Sequence, residues 1–139
     1  MDYFLKSFDK LEKEELYQIL KLRQDVFILE QESFYSDIDN IDQKSYHLFI
    51  KENGKIIAYL RIFEENEKII LGRIISRKKG LGSKIVEKAI DFSKKTYGKR
   101  DIKISAQVRA KGFYEKFGFK EVSRPYDDGG IDHVDMEIK

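Results

Sequence analysis

Between Ile75 and Lys84 the chain reads Ser76-Arg77-Lys78-Lys79-Gly80-Leu81-Gly82-Ser83, with an apolar strand-like run before it and a helix-like run after it. Glycine lets a backbone come close to a ligand, and the first turn of a helix offers unpaired N–H groups at the positive end of its dipole. Three adjacent cations add charge, so the segment is suited to cradling a pyrophosphate. It lacks the Gly-Lys-Ser/Thr ending of a Walker loop and the GxGxxG spacing of a dinucleotide fold.

Other groups could do chemistry too. Arg23 shares a helical face with Leu16, Ile19, Leu20 and Phe27. A guanidinium there needs a partner, because an unpaired buried charge is very costly. That partner is either an acceptor carboxylate, or Glu30, or a structural Asp37 or Asp39. Asp37-x-Asp39-x-x-Asp42 could ligate a divalent cation by residue type, but the calcium-loop pattern is absent. It reads as an acidic lip or a solvated loop. His47 and His133 stand singly in strand-like runs, where a structural role is the ordinary one. Both remain, with Glu30, candidates for a base that deprotonates an ammonium group.

The elements that would position these groups follow from periodicity. Strands are expected at Tyr3–Ser7, Ser45–Lys51, Lys55–Phe63, Lys68–Ser76, Ile102–Ala106, Lys120–Tyr126 and His133–Ile138. Asn53-Gly54 supplies a tight hairpin turn. Helices are expected over Lys10–Phe27, from Leu81 to a stop at Gly98, and over Ala110–Phe117. Glu30–Asp42 has no period and is expected as loop. The order implies a single α+β domain over residues 1–139, with a mixed sheet.

Composition narrows the classes. The 139 residues hold no cysteine, which excludes disulfides, thiolate metal sites and a cysteine nucleophile. The net charge is +2, yet residues 71–125 carry 16 basic and 5 acidic side chains, against 10 and 15 in residues 1–70. A basic middle suits an anionic ligand, and acidic flanks suit something cationic. No signal-peptide core or membrane-length apolar run is present, so a cytoplasmic location with no membrane partner is expected. No nucleic-acid reading motif accompanies the basic region.

Arg77-x-x-Gly80-x-Gly82 resembles the R/Q-x-x-G-x-G/A signature of the GNAT acetyltransferase superfamily. Gln107-Val-Arg-Ala-Lys-Gly-Phe-Tyr114-Glu-Lys-Phe-Gly118-Phe119 resembles that superfamily's next motif, a short helix ending in Y-E-x-x-G-F. Leu22–Gln31, Tyr35-x-Asp37-x-Asp39 and the ending Tyr126–Met136 are similar to the ElaA-like branch, and the resemblance spans nearly the whole chain. One departure stands out: Arg73-Ile-Ile-Ser76 runs almost directly into Arg77, where family members carry several more residues.

The resemblance implies the GNAT (acyl-CoA N-acyltransferase) fold, a bent mixed β-sheet flanked by helices. It implies an acetyl-CoA co-substrate without a metal, lying in a splay between the Lys68–Ser76 and Ile102–Ala106 strands. It implies transfer of an acetyl group to a small-molecule or peptide amine by a monomer or homodimer. The cofactor would be held by Ile74, Ile75, Ser76, Arg77, Lys78, Lys79, Gly80, Leu81, Gly82, Ser83, Gln107 and Tyr114. Tyr114 would protonate the leaving thiolate and Glu30 would act as base. Arg23, Phe27, Gln31, Arg73 and His133 would meet the acceptor. The alternatives are a non-catalytic acyl-CoA-binding module or an enzyme like the acyl-homoserine-lactone synthases, which share the fold and an R-x-x-V-F segment.

Overall fold

The computed structural model describes all 139 residues. Eight strands form one sheet: β1 (Asp2–Ser7), β2 (Tyr46–Glu52), β3 (Lys55–Glu65), β4 (Lys68–Ser76), β5 (Ile102–Gln107), β6 (Lys120–Glu121), β7 (Tyr126–Asp128) and β8 (Ile131–Ile138). Their order is β1-β2-β3-β4-β5-β8-β6, with β7 also paired to β8. Every pairing is antiparallel except β4–β5. Three α-helices join them: α1 (Lys13–Arg23), α2 (Leu81–Tyr97) and α3 (Lys111–Glu115).

Strands β2 and β3 are apolar at successive positions because both of their faces are covered. Leu48, Ile50, Ala58, Leu60 and Ile62 pack with Leu81, Ile85, Val86, Ala89 and Ile90 of α2. Phe49, Ile56 and Tyr59 pack on the other face with Ile19 of α1. Helix α1 starts on a capping box in which the Glu15 carboxylate accepts from the Glu12 N–H at 2.9 Å. That carboxylate is buried between Lys6 and Lys51, each 2.9 Å away, which fastens the helix start to β1 and β2.

Strands β4 and β5 share only two rungs, Ile69–Ile102 and Ile70–Lys103. Beyond Ile70 they diverge, while β5 stays paired with β8 through Gln107–His133. This is the expected splay. A second irregularity lies on the other edge of β4, where the register with β3 slips between Tyr59 and Arg61. Arg73 sits in that bulge with φ +53°, a left-handed conformation unusual for a residue with a Cβ.

Three expectations change. The single helix over Lys10–Phe27 is shorter, and from Gln24 to Glu30 the chain widens into a π-helix, with the Gln31 N–H reaching the Val26 carbonyl at 3.1 Å. Glu30 therefore closes a helical segment rather than opening a loop. The strand expected over Lys120–Tyr126 is split into β6 and β7. Pro125 has no N–H for a ladder, and the Ser123 hydroxyl takes the Asp135 N–H at 2.9 Å. No helix is long and apolar enough to cross a membrane.

Candidate functional site

Two cavities flank the upper part of β4. The larger, about 480 Å³, lies in the splay against β5, β8 and the turn after the π-helix. The second, about 450 Å³, is lined by Ile74 and by Ser76–Gly80, Gly82, Ser83, Phe113 and Tyr114. Ile74 and Tyr114 belong to both, so the two spaces meet at these side chains.

The second cavity is the expected anion cradle. Strand β4 ends at Ser76, the Arg77 N–H bonds the Ile57 carbonyl at 2.8 Å, and α2 begins at Leu81. The short connection works because Gly80 takes φ +89° at the helix start. Gly82 is packed against the neighbouring wall: a Cβ there would meet the Phe113 ring at 3.5 Å and Ser76 Cβ at 3.6 Å. No side chain caps α2; the Leu81 N–H bonds the Lys78 carbonyl at 3.2 Å, and the next amides, of Gly82 and Ser83, remain available to an anion. Ile75 and Leu81 are buried in the core. Their side chains are therefore withheld from a ligand, which they could meet only through backbone groups, the kind of contact expected of this segment.

Glu30 is also corrected. Its carboxylate forms a two-pronged ion pair with Arg77, with Arg77 Nη1 donating to Oε1 at 2.8 Å. It does not line the larger cavity. The guanidinium holds the carboxyl below its usual range, the wrong direction for a base.

Tyr114 stands on α3 with its ring edge-on to Phe113 at 5.0 Å and Phe119 at 6.0 Å. Burial pushes its phenol up to about 12, so the hydroxyl stays protonated and can serve as an acid.

The larger cavity gathers Phe27, Gln31, Arg73 and His133, four of the residues expected to meet the acceptor, together with Gln107, which was expected on the cofactor side. Gln107 donates to Gln31 at 3.0 Å, tying β5 to the end of the π-helix. Arg23 is not among them. It is 0% exposed, with Nε on Asp37 at 3.0 Å, Nη1 on Asp42 at 2.7 Å and Nη2 on the Asp37 carbonyl at 2.8 Å. Its donors are committed, so it cannot meet a substrate.

The aspartates are neither a lip nor solvated. Arg61 pairs with Asp39 at 2.6 Å and Asp42 at 2.9 Å, and Arg73 pairs with Asp37 at 2.8 Å and Asp39 at 3.2 Å. With Arg23 they form a closed, neutral ring in which each guanidinium bridges two carboxylates and each carboxylate bridges two guanidiniums. The ring fixes the 31–42 segment to the sheet and holds Arg73 in its bulge, over the Tyr35 ring at 5.0 Å. His47 is buried beneath it. Its Nε2 donates to the Asp42 carbonyl at 2.9 Å and Nδ1 accepts from the Tyr59 hydroxyl at 2.6 Å, while burial lowers its pKa. The structural reading of His47 holds.

Ser33, Arg61, Ser105 and Ile131 also line the cavity and were not singled out from sequence. Strand alternation could have found two of them, since Ser105 and Ile131 lie two residues from Gln107 and His133 on the same faces.

The GNAT acetyltransferase domain family matches residues 10–139. The chain belongs to that family. A UPF0039 protein of Synechocystis is 39% identical over 137 residues, covering 93% of this chain and 89% of its own. Protein ElaA of Escherichia coli is 30% identical over 136 residues, covering 91% of this GNAT chain and 89% of its own. The solved structure of Escherichia coli ElaA superposes with a TM-score of 0.95 over 100% of both chains. An acyl-CoA N-acyltransferase from Pseudomonas aeruginosa gives 0.95 at 29% identity over 99% of both. The acyl-homoserine-lactone synthase LasI, at 15% identity and a TM-score of 0.79, shares the fold.

Proposed function

We propose that this GNAT protein transfers an acetyl group directly from acetyl-CoA to a primary amine of a small acceptor. The observation that carries the reading is the meeting of the two cavities at Ile74 and Tyr114. An anion cradle on one side suits the pyrophosphate of coenzyme A. A walled cavity with glutamine, serine and histidine groups on the other suits a small polar acceptor. The junction is where a thioester would lie, beside a protonated phenol.

In this reading Arg77, Lys78, Lys79 and the first-turn amides of α2 hold the phosphates. The edge of β4 beyond Ile70, which β5 leaves unpaired, offers backbone N–H groups to the thioester oxygen as charge develops there. Tyr114 gives its proton to the departing thiolate. Arg77 must exchange its Glu30 partner for phosphate oxygens, so the affinity should weaken with salt.

The test is free-thiol release from acetyl-CoA across a panel of alkylamines, amino acids, polyamines and aminoglycosides. We expect at least one amine to raise the release above the amine-free rate and to gain the mass of an acetyl group. Binding of acetyl-CoA with no acceleration by any amine would make the protein a binding module. No binding at millimolar acetyl-CoA and low salt would remove the reading altogether.

A further inference from the structure

An amine acceptor arrives largely as an ammonium ion and must lose a proton before it can attack. Glu30 does not line the larger cavity, and both nitrogens of His47 are engaged in the core. His133 is different. Residues Ile131 and His133 present one face of β8 to the larger cavity, which Tyr114 also lines. The imidazole is fixed by face contact with Tyr126, centroids 6.3 Å apart and planes at 25°, and by Nδ1 lying 2.8 Å from the Ile131 carbonyl. A carbonyl oxygen only accepts, so Nδ1 carries the proton. The neutral ring must then leave Nε2 with a free lone pair, and no protein group occupies it.

We propose that Nε2 of His133 is the general base that takes the proton from the acceptor ammonium, an inference that rests on the acyl-transfer reading. The protons balance. His133 removes one from the ammonium and passes it to solvent. The amine nitrogen then bonds the thioester carbon, and the C–S bond breaks as Tyr114 protonates the sulfur. The second proton shed by the nitrogen restores the Tyr114 phenol. The products are amide, free thiol and one released proton.

The groups that face the ring do not replace it. Arg73 of β4 is neutralised by Asp37 and Asp39, Gln107 of β5 is committed to Gln31, and Asp128, which also lines the cavity, is an exposed carboxylate at the end of β7 that no hydrogen bond or ion pair orients. Tyr126 donates to Asp135 at 2.6 Å, and burial with that bond pushes its phenol up to about 12.

His133→Asn keeps an N–H in place of Nδ1 and removes the base. With acetyl-CoA and the amine panel above, we expect kcat/KM for the amine to fall by about 10²-fold or more, the span of general-base catalysis. The acid limb of the wild-type pH profile should vanish, while acetyl-CoA affinity and Tm hold. In His133→Ala, added imidazole should restore part of the rate, which a merely structural histidine would not allow. A wild-type rate and pH profile in His133→Asn would overturn the assignment alone. So would a lost rate that tracks a fallen Tm and that imidazole does not rescue. Failure of the wild type itself to turn over any amine in the panel would overturn the acyl-transfer reading and this inference with it.

Discussion

Tyr114→Phe is expected to cut turnover at least tenfold while leaving acetyl-CoA affinity within about twofold. General acid catalysis typically supplies about 10²–10⁴-fold, and thiolate is a good enough leaving group that the lower part of that span applies. The affinity should hold because the hydroxyl is called on only as sulfur departs, and an interaction made only in the transition state appears in kcat rather than in binding. The ring keeps its edge contacts with Phe113 and Phe119, so Phe fits without a cavity. Because burial favours the neutral phenol, its loss should not change the alkaline limb of the rate below about pH 10. A melting curve and a steady-state rate on the same variant decide the matter. A full rate with a lowered Tm would make Tyr114 structural and leave the proton to solvent.

Arg23→Met is expected to be the most destabilising single change in the charged ring. Breaking a buried ion pair by removing one partner costs about 3–5 kcal/mol, because a buried charge is left without its counter-charge. Here the damage is shared: Asp37 keeps Arg73 at 2.8 Å and Asp42 keeps Arg61 at 2.9 Å. The cost should therefore lie near 3 kcal/mol, which for a domain of this size lowers Tm by about 10 °C. Methionine fills much of the space, which separates loss of charge from loss of volume. Kinetically the variant should behave like wild type when assayed well below its Tm. An unchanged Tm with a raised KM for the amine would return Arg23 to the substrate.

The cradle was legible because its chemistry is local. Glycines at 80 and 82, three cations and a following helix face lie within one short window, and β4 appears at its expected bounds, Lys68–Ser76. The charged ring was not legible as a whole. Its pairs span 14 to 36 residues of sequence, and Arg61 lies in the middle of the apolar run Ala58–Phe63, where its partners cannot be inferred from spacing. The three aspartates, read without those arginines, look like a polar loop. The π-helix escaped for another reason: the apolar face of α1 continues past Arg23, and one wider turn leaves no mark in that periodicity. His133 was visible as a residue, but its free Nε2 depends on the Ile131 carbonyl two residues away meeting Nδ1, a contact set by the side-chain rotamer rather than by sequence spacing.

The claim that most needs testing is that a coenzyme A thioester lies along β4 with its phosphates at α2 and its acyl end at Tyr114. The direct measurement is a backbone amide NMR titration of the ¹⁵N-labelled protein with acetyl-CoA. The largest shift changes are expected at Gly80, Gly82 and Ser83 and along Ile74–Ser76, extending to Tyr114, with β1 unmoved. Changes confined to another face, or none at millimolar acetyl-CoA and low salt, would contradict it.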